Sequence, residues 1–256
     1  MSSRRSCPDT QRLTEIQERP CGGHDPPQGP SSCVRSGSRC LVAGPATAVC
    51  ETADMSRLRV AVLASGRGSN LRALHKASLE GEARFGVSLV IGNNSGAGAM
   101  EYAREVGIPA VHLSGRTHPD PDELDEAMRA ALVAHGTGLV VTAGYMKKLG
   151  PRTRREFDSR IINVHPALLP RHGGKGMYGN AVHEAVLAAG DQVSGATVHF
   201  VTEEYDAGAI IAQSEVPVLA DDTPESLAER VLAAEHLLLP TVVQIIATRN
   251  AAPAEL

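Results

Sequence analysis

Short apolar runs alternate with helix-like segments along most of the chain after residue 57. The run Leu58–Ala64 predicts a buried strand, and a helical pattern follows it from Leu71. Strands are also predicted over Val87–Ile91, Pro109–Leu113 and Leu139–Thr142, with helices over Ala97–Val106 and Asp122–Ala134. This alternation is typical of right-handed crossover connections and a parallel sheet.

The second half of the chain continues the pattern. A β-branched run opens the segment Ile161–His165 and predicts another buried strand. The elements predicted after it are a helix over Ala181–Ala189, strands over Gly195–Val201 and Ala209–Val218, and a final helix starting at Thr223-Pro224. We therefore predict a single α/β domain over residues 55–250, with a mostly parallel twisted sheet, helices on both faces, and a C-terminal tail over residues 251–256.

The first 54 residues differ in composition from the rest. They are rich in Ser, Gly, Pro and Arg, and they hold all five cysteines, at Cys7, Cys21, Cys33, Cys40 and Cys50. No two cysteines form a C-x-x-C pair, so neither a zinc site nor a dithiol motif is indicated. Too few periodic apolar residues are present to offset the ordering entropy, and we predict a disordered extension. Met55 suggests that residues 1–54 are a misassigned start; a targeting arm is the alternative, which the acidic residues oppose.

Composition and charge narrow the choice of partners. A chain of 256 residues with 42% hydrophobic content can bury one sizeable core. Its net charge of −4 and pI near 6.2 give no electrostatic footprint for nucleic acid or an anionic membrane. No apolar run in the sequence reaches the roughly 18 residues that a membrane span needs. We predict a cytoplasmic monomer or homodimer that binds small molecules.

The turn after the first strand predicts an anion site. Ser65-Gly66-Arg67-Gly68-Ser69-Asn70 lies between a strand and a helix start, where backbone N–H groups and the helix dipole converge. A dinucleotide fingerprint would need a small residue in place of Leu71 and an acidic residue after the second strand, where Gly92-Asn93-Asn94 stands. The turn therefore favours a monophosphate over NAD. The alternative is that its glycines serve only a tight turn.

Asn163 and His165 form the second candidate site. Residues two apart in a strand share a face, so both side chains would meet at the strand's carboxyl end, before Pro166. An amide donor beside an imidazole suits a reaction in which a carbonyl oxygen gains charge while an amine loses a proton. The alternative is that Asn163 only caps a turn and that His165 is a buried histidine whose hydrogen bonds are satisfied within the fold. Ligands gather at the carboxyl edge of parallel sheets, so this pair and the glycine turn should share one cleft.

Later segments add to the predicted cleft. Asp206 could orient His165 and raise its pKa, although alone it would be a solvated turn aspartate. The backbone of the loop Ala143–Pro151 could hold a flat heterocycle, and Gly173–Gly179 could act as a flap. No metal is predicted, because the histidines of this region show no ligand spacing with carboxylates or thiols.

Four motifs stand in order within residues 57–249: Gly68-Ser69-Asn70, Asn163-x-His165-Pro166-x-Leu168-Leu169-Pro170, Gly195-x-Thr197-Val198-His199-Phe200-Val201 and Asp206-x-Gly208. Together they resemble the phosphoribosylglycinamide formyltransferase family of the formyltransferase-fold superfamily. The resemblance implies a Rossmann-like formyltransferase fold. It also implies formyl transfer from the co-substrate 10-formyltetrahydrofolate to the amine of glycinamide ribonucleotide in de novo purine synthesis, without a metal.

The resemblance also implies roles for individual residues. By similarity, Asn163, His165 and Asp206 are catalytic. The ribonucleotide would be bound by Gly68, Ser69, Asn70, Glu235 and Pro166, and the folate by Met146, Lys147, Lys148 and Leu149. One departure is His172, since the family often has another aromatic residue there, and this leaves the flap's contacts open.

Two other functions compete with this prediction. A formyltetrahydrofolate hydrolase has a similar fold and uses water as the formyl acceptor. That family carries a regulatory domain, which residues 1–54 are too short to form. A non-catalytic nucleotide-binding sensor could keep the phosphate turn without the chemistry, although the joint presence of Asn163, His165 and Asp206 opposes it. Methionyl-tRNA formyltransferase is a further relative, with an added domain and a basic surface.

Overall fold

A computed structural model of the chain describes residues 57–251. These residues form seven strands, β1 Leu58–Ala64, β2 Phe85–Gly92, β3 Ala110–His112, β4 Leu139–Thr142, β5 Ile161–His165, β6 Val193–Phe200 and β7 Ile210–Pro217. They also form six helices, α1 Ser69–Ser78, α2 Gly98–Glu105, α3 Pro121–Ala134, α4 Pro151–Glu156, α5 Asn180–Ala188 and α6 Pro224–Ala251. The extension predicted over residues 1–54 lies outside the described residues, as does the predicted tail beyond residue 251, the last residue of α6.

The seven strands form one sheet in the order β3-β2-β1-β4-β5-β6-β7. Strands β1 to β5 pair in parallel, whereas β6 pairs antiparallel with β5, and β7 antiparallel with β6. The predicted mostly parallel sheet is confirmed. The chain moves outward from β1 through β2 to β3 and then returns beside β1 as β4. The loops after β1 and β4 therefore lie at a topological switch point, where α/β sheets bind ligands.

Helices cover both faces of the sheet, as predicted. Alternate residues of β1 point to opposite faces, so Val60 and Val62 belong to one core cluster, and Ala61 and Leu63 to the other. The first cluster includes side chains of α1, α2 and α6, namely Leu71, Leu74, Met100, Ala103, Leu239, Val242 and Val243. The second includes Met128 and Leu132 of α3. Burial on both faces explains why β1 is an almost continuous apolar run.

The short helix α4 is a feature that the apolar pattern does not predict. Its start is capped from α3: the buried Asp125 carboxylate accepts from the backbone N–H of Arg152 at 2.7 Å and of Thr153 at 3.0 Å. Pro151 opens the helix, where no N–H is needed. A Cβ at Gly150 would lie 2.1 Å from Asp125 Cγ, so only glycine fits against the cap. The helix depends on a tertiary contact rather than on its own periodicity.

Helix α6 departs from the expectation that no segment could span a membrane. Among the described residues it is the one helix that is long and apolar enough to cross a membrane. In the fold its buried side chains, which include Leu227, Val231, Leu239 and Val243, pack against the sheet and neighbouring helices. This packing buries 39% of the most apolar part of the helix, while other large apolar side chains, among them Leu237 and Ile245, stay exposed.

Candidate functional site

The carboxyl ends of β1, β4 and β5 open into a cleft of about 860 Å³. The structure brings every site residue named from the sequence to this cleft: Gly68, Ser69, Asn70, Met146, Lys147, Lys148, Leu149, Asn163, His165, Pro166, Asp206 and Glu235. The flap region Gly174–Gly179 lines the same cleft. The expectation that the glycine turn and the Asn163–His165 pair share one cleft is thus confirmed.

At one end of the cleft, the glycine turn leads into the N-terminus of α1. Gly68 is the N-cap residue with a φ of +76°, and a Cβ there would lie 2.7 Å from Ala99 Cα. Only glycine satisfies both conditions. The first N–H groups of a helix lack intrahelical partners, and the first turn of α1 contains no acidic residue. The N–H groups of the turn are thus available to an anion.

A buried carboxylate faces the start of α1. Glu235, in the middle of α6, is 6% exposed, and its Oε2 accepts a hydrogen bond from Asn70 Nδ2 at 2.6 Å. Burial raises the pKa of Glu235 to about 7, even though the bond from Asn70 favours the charged form. Asn70 Oδ1 is buried and has no hydrogen-bond partner among the described residues. This pair can accept or donate hydrogen bonds to a polar ligand near neutral pH.

The side chain of Asn163 is held on both sides. Its Oδ1 accepts from Thr142 Oγ1 at 2.8 Å, and its Nδ2 donates to His199 Nε2 at 3.1 Å. An amide nitrogen carries two N–H donors, so a second one remains for a ligand in the cleft. The amide is a preorganised donor of the kind that stabilises an oxyanion.

His165 is almost fully buried, at 3% exposure, and its two ring nitrogens face different groups. Nε2 lies 2.8 Å from the backbone oxygen of His172, so Nε2 carries the proton and donates. Nδ1 lies 3.6 Å from Asp206 Oδ2. Burial lowers the pKa of His165, and this effect outweighs the increase that Asp206 causes in the predicted direction. The ring is therefore neutral at neutral pH, with Nδ1 free to accept a proton.

Asp206 occupies a strained turn, with a φ of +53°. Its Oδ2 accepts from the backbone N–H of Gly174 at 2.9 Å, and its Oδ1 lies 3.5 Å from His199 Nε2. Burial raises the pKa of Asp206, but His199, His165 and the Gly174 N–H together outweigh it and lower the pKa. Asp206 is a carboxylate at neutral pH, and it can stabilise positive charge on His165.

His199 lines the cleft, and the buried Thr197 supports the turn after His165, but the sequence assigned neither of them a role. The antiparallel pairing of β5 and β6 places His199 beside Asn163, and Thr197 beside His165. Thr197 Oγ1 donates to the Ala167 carbonyl at 2.6 Å and thereby holds the turn after His165. The alternation of Thr197 and His199 was a signal for a shared face. The partner strand could not be identified without the sheet order.

Ser65 joins the two loops of the switch point. Its backbone N–H donates to the Gly144 carbonyl at 3.1 Å, and its Oγ accepts from the Met146 N–H at 2.8 Å. Met146 is half exposed at the cleft, whereas Leu149 is buried in the second core cluster. Of the four residues predicted to hold the folate, Leu149 therefore also anchors the loop. The backbone between them is the part presented to a ligand.

Within residues 57–251, no group of three or more His, Cys, Asp or Glu side chains is arranged to hold a metal ion. The polar groups of the cleft instead contact one another, as the bonds of Asn163, His165 and Asp206 show. The chemistry available from them is hydrogen bonding and proton transfer.

The fold and the cleft define an α/β protein whose switch-point cleft combines a helix N-terminus with side chains that can transfer protons. A family profile described as formyl transferase matches residues 58–243, and the chain belongs to this family.

Similar proteins carry more specific names. The chain is 46% identical over 195 residues to the chloroplastic phosphoribosylglycinamide formyltransferase of Arabidopsis thaliana, a match that covers 74% of this chain and 65% of the relative. It thus spans just under two thirds of that relative's length. The crystal structure of glycinamide ribonucleotide transformylase 1 from Symbiobacterium toebii superposes with a TM-score of 0.71 at 37% identity, covering 76% of this chain and 90% of that one. For phosphoribosylglycinamide formyltransferase from Anaplasma phagocytophilum the TM-score is 0.68 at 41% identity, covering 75% and 87%.

Proposed function

We propose that this protein transfers the formyl group of 10-formyltetrahydrofolate to the amine of N1-(5-phospho-D-ribosyl)glycinamide, in de novo purine synthesis. The products are the N2-formyl compound and tetrahydrofolate. The proposal rests on one observation above all: Asn163, His165 and Asp206 lie in one cleft with an anion-binding turn and the Met146–Leu149 loop. Membership of the formyl transferase family and the names of its relatives support the reaction type.

The two substrates occupy opposite parts of the cleft in this proposal. The ribonucleotide phosphate accepts hydrogen bonds from Gly68, Ser69 and Asn70 at the N-terminus of α1. Glu235 binds a polar group of the ribosylglycinamide, and Pro166 packs beside it at the end of β5. The backbone of Met146, Lys147, Lys148 and Leu149 binds the flat heterocycle of the folate. The reactive amine and the formyl carbon then meet beside His165.

The neutral amine attacks the formyl carbon, and the carbonyl oxygen becomes an oxyanion. The free N–H of Asn163 Nδ2 donates to this oxygen, and removal of such a donor typically costs about 10²–10³ in turnover. His165 Nδ1 accepts the proton that the amine loses, because this nitrogen is unprotonated at neutral pH. Asp206 stabilises the imidazolium formed, and the proton passes to the folate nitrogen as its bond to the formyl carbon breaks.

The hydrolase and the sensor fit the cleft less well. A hydrolase that uses water has no need for a phosphate turn, whereas here Gly68 and the first turn of α1 line the same cleft as Asn163, His165 and Asp206. A sensor has no need for an unprotonated imidazole beside a half-buried carboxylate, which the His165–Asp206 pair supplies.

Formyl transfer by the full chain tests the proposal. Purified protein is given 10-formyltetrahydrofolate with and without the ribonucleotide, and both folate release and formylated nucleotide are followed. We expect folate release to require the ribonucleotide and to match its formylation. Release without the ribonucleotide would identify a hydrolase, and no release with retained ribonucleotide binding would identify a sensor.

The remaining expectations concern the state of the protein in the cell. We propose a cytoplasmic location and a monomer or homodimer; the Arabidopsis relative carries the word chloroplastic in its own name. Cell fractionation and light scattering of the native protein test both. Recovery in an organelle, or a larger assembly, would contradict them.

A further inference from the structure

The segment Arg171–Gly174 touches both proton-transfer groups of the cleft. The backbone oxygen of His172 accepts the Nε2 hydrogen of His165 at 2.8 Å, and the N–H of Gly174 donates to Asp206 Oδ2 at 2.9 Å. A Cβ at Gly173 would lie 2.4 Å from Leu169 Cδ2, so the segment packs closely against the turn below it. Where this segment lies decides how the imidazole and the carboxylate face each other.

The His172 side chain fixes the segment to a distant part of the chain. His172 has a φ of +54°, a conformation uncommon for a residue with a side chain. Its ring Nε2 donates to Asp191 Oδ2 at 2.8 Å, and the guanidinium of Arg171 binds Asp191 Oδ1. Asp191 follows α5, and its side chain is 8% exposed. The hydrogen bond from His172, with a further contribution from Arg171, lowers the pKa of Asp191 and keeps it a carboxylate.

We propose that Asp191 is a positioning residue for His165, acting through the side chain and the backbone oxygen of His172. This inference rests on the proposed function, since it assigns His165 the role of proton acceptor. The group formed by Arg171, His172 and Asp191 is called the Asp191 bracket below. The sequence left the contacts of His172 open, and Asp191 was not among the residues named from it.

The bracket matters because a neutral imidazole has two tautomers. With the His172 oxygen in place, the ring proton stays on Nε2, and Nδ1 remains an acceptor. Without that oxygen, the proton is more stable on Nδ1, where it faces the Asp206 carboxylate 3.6 Å away. In that tautomer Nδ1 can no longer take a proton from an attacking amine. The bracket therefore stabilises the reactive tautomer, with the proton on Nε2, relative to the tautomer with the proton on Nδ1, which Asp206 attracts.

The first test is Asp191→Ala in the full chain. We expect kcat to fall about tenfold, which corresponds to about 1.4 kcal/mol, because only a fraction of molecules keep the reactive tautomer. The KM for the ribonucleotide should stay within about twofold, since Asp191 does not line the cleft. Asp191→Asn retains an oxygen that can accept from His172 Nε2, and it should restore most of kcat.

The second measurement is the ¹⁵N spectrum of the His165 ring, which distinguishes protonated from unprotonated nitrogens without any turnover. In the unaltered protein we expect Nε2 protonated and Nδ1 unprotonated, and in Asp191→Ala a shift towards the opposite tautomer. Asp222→Ala is the matched control: Asp222 is similarly buried and paired with Arg230, but it lies outside the cleft. We expect it to lower stability and to leave both kcat and the His165 spectrum unchanged.

Two results would overturn the proposed role of the Asp191 bracket. One is an unchanged His165 spectrum in Asp191→Ala, whatever happens to kcat; the other is the same spectral change in Asp222→Ala. If Asp191→Ala does not fold, His172→Asn replaces it, because asparagine tolerates a positive φ and the Arg171–Asp191 pair is kept. If the unaltered protein forms no formylated nucleotide, the proposed function fails, while the spectrum still decides whether the bracket sets the tautomer.

Discussion

The buried carboxylate of Glu235 should make stability depend on pH in a predictable direction. Burial raises its pKa from 4.5 to about 7, so the folded state disfavours the ionised form. The stabilising, protonated form is fully present below pH 4.5, and its contribution is lost as the pH rises through 7. Each pKa unit corresponds to about 1.36 kcal/mol. Relative to a fully protonated Glu235, ionisation therefore lowers the free energy of unfolding by about 3 kcal/mol at about pH 8 and by about 1 kcal/mol at about pH 5.5.

Replacement by glutamine removes this titration. Glu235→Gln keeps an oxygen for the bond from Asn70 Nδ2, and its amide N–H can satisfy the unpartnered Asn70 Oδ1. Urea unfolding should therefore show the variant about 3 kcal/mol more stable than the unaltered protein at about pH 8, with the difference falling to about 1 kcal/mol at about pH 5.5. The exposed Glu229 of the same helix supplies the control, and Glu229→Gln should change stability little at either pH. A stability difference for Glu235→Gln that does not change with pH would refute the reasoning.

Three further substitutions test the catalytic group, the anion turn and the turn after β5. Asn163→Ala should lower kcat about 10²–10³-fold with ribonucleotide affinity retained, measured by steady-state kinetics and equilibrium dialysis; an unchanged kcat would exclude an oxyanion role. Gly68→Ala places a Cβ 2.7 Å from Ala99 at a φ of +76°, so it should raise the ribonucleotide KM far more than the folate KM; equal increases in both would contradict a phosphate role for the turn. Thr197→Val removes the donor to the Ala167 carbonyl and should destabilise the protein by about 1–3 kcal/mol in urea, whereas unchanged stability would show that the turn is held by other contacts.

Local patterns in the sequence predict the strands well, because they reflect burial on both faces of the sheet. The predicted bounds of Leu58–Ala64, Leu139–Thr142 and Ile161–His165 agree with β1, β4 and β5. The same reasoning places Asn163 and His165 at the sheet edge, since side-chain alternation and the parallel arrangement are both visible in the sequence. These features need no knowledge of distant contacts.

Features that depend on distant contacts could not be predicted in this way. Helix α4 exists because Asp125 caps it from α3, and neither segment alone carries that information. The role of His199 depends on β6 pairing antiparallel with β5, which a chain of alternating strands and helices does not indicate. The net shift of the pKa of His165 depends on how completely the fold buries the ring: Asp206 raises this pKa as predicted, but burial lowers it by more.

The two hydrogen bonds of Ser65 fix the distance between the two loops at the switch point. Because one residue ties the loop after β1 to the loop that contains Met146, the phosphate end and the heterocycle end of the cleft cannot shift independently. If both substrates bind as proposed, the two together must fit this fixed distance between the loops, and they do not fill two independent pockets. An acceptor one bond longer or shorter would then misalign its nucleophile even when its phosphate binds normally, so discrimination among similar amines arises from geometry in the framework itself.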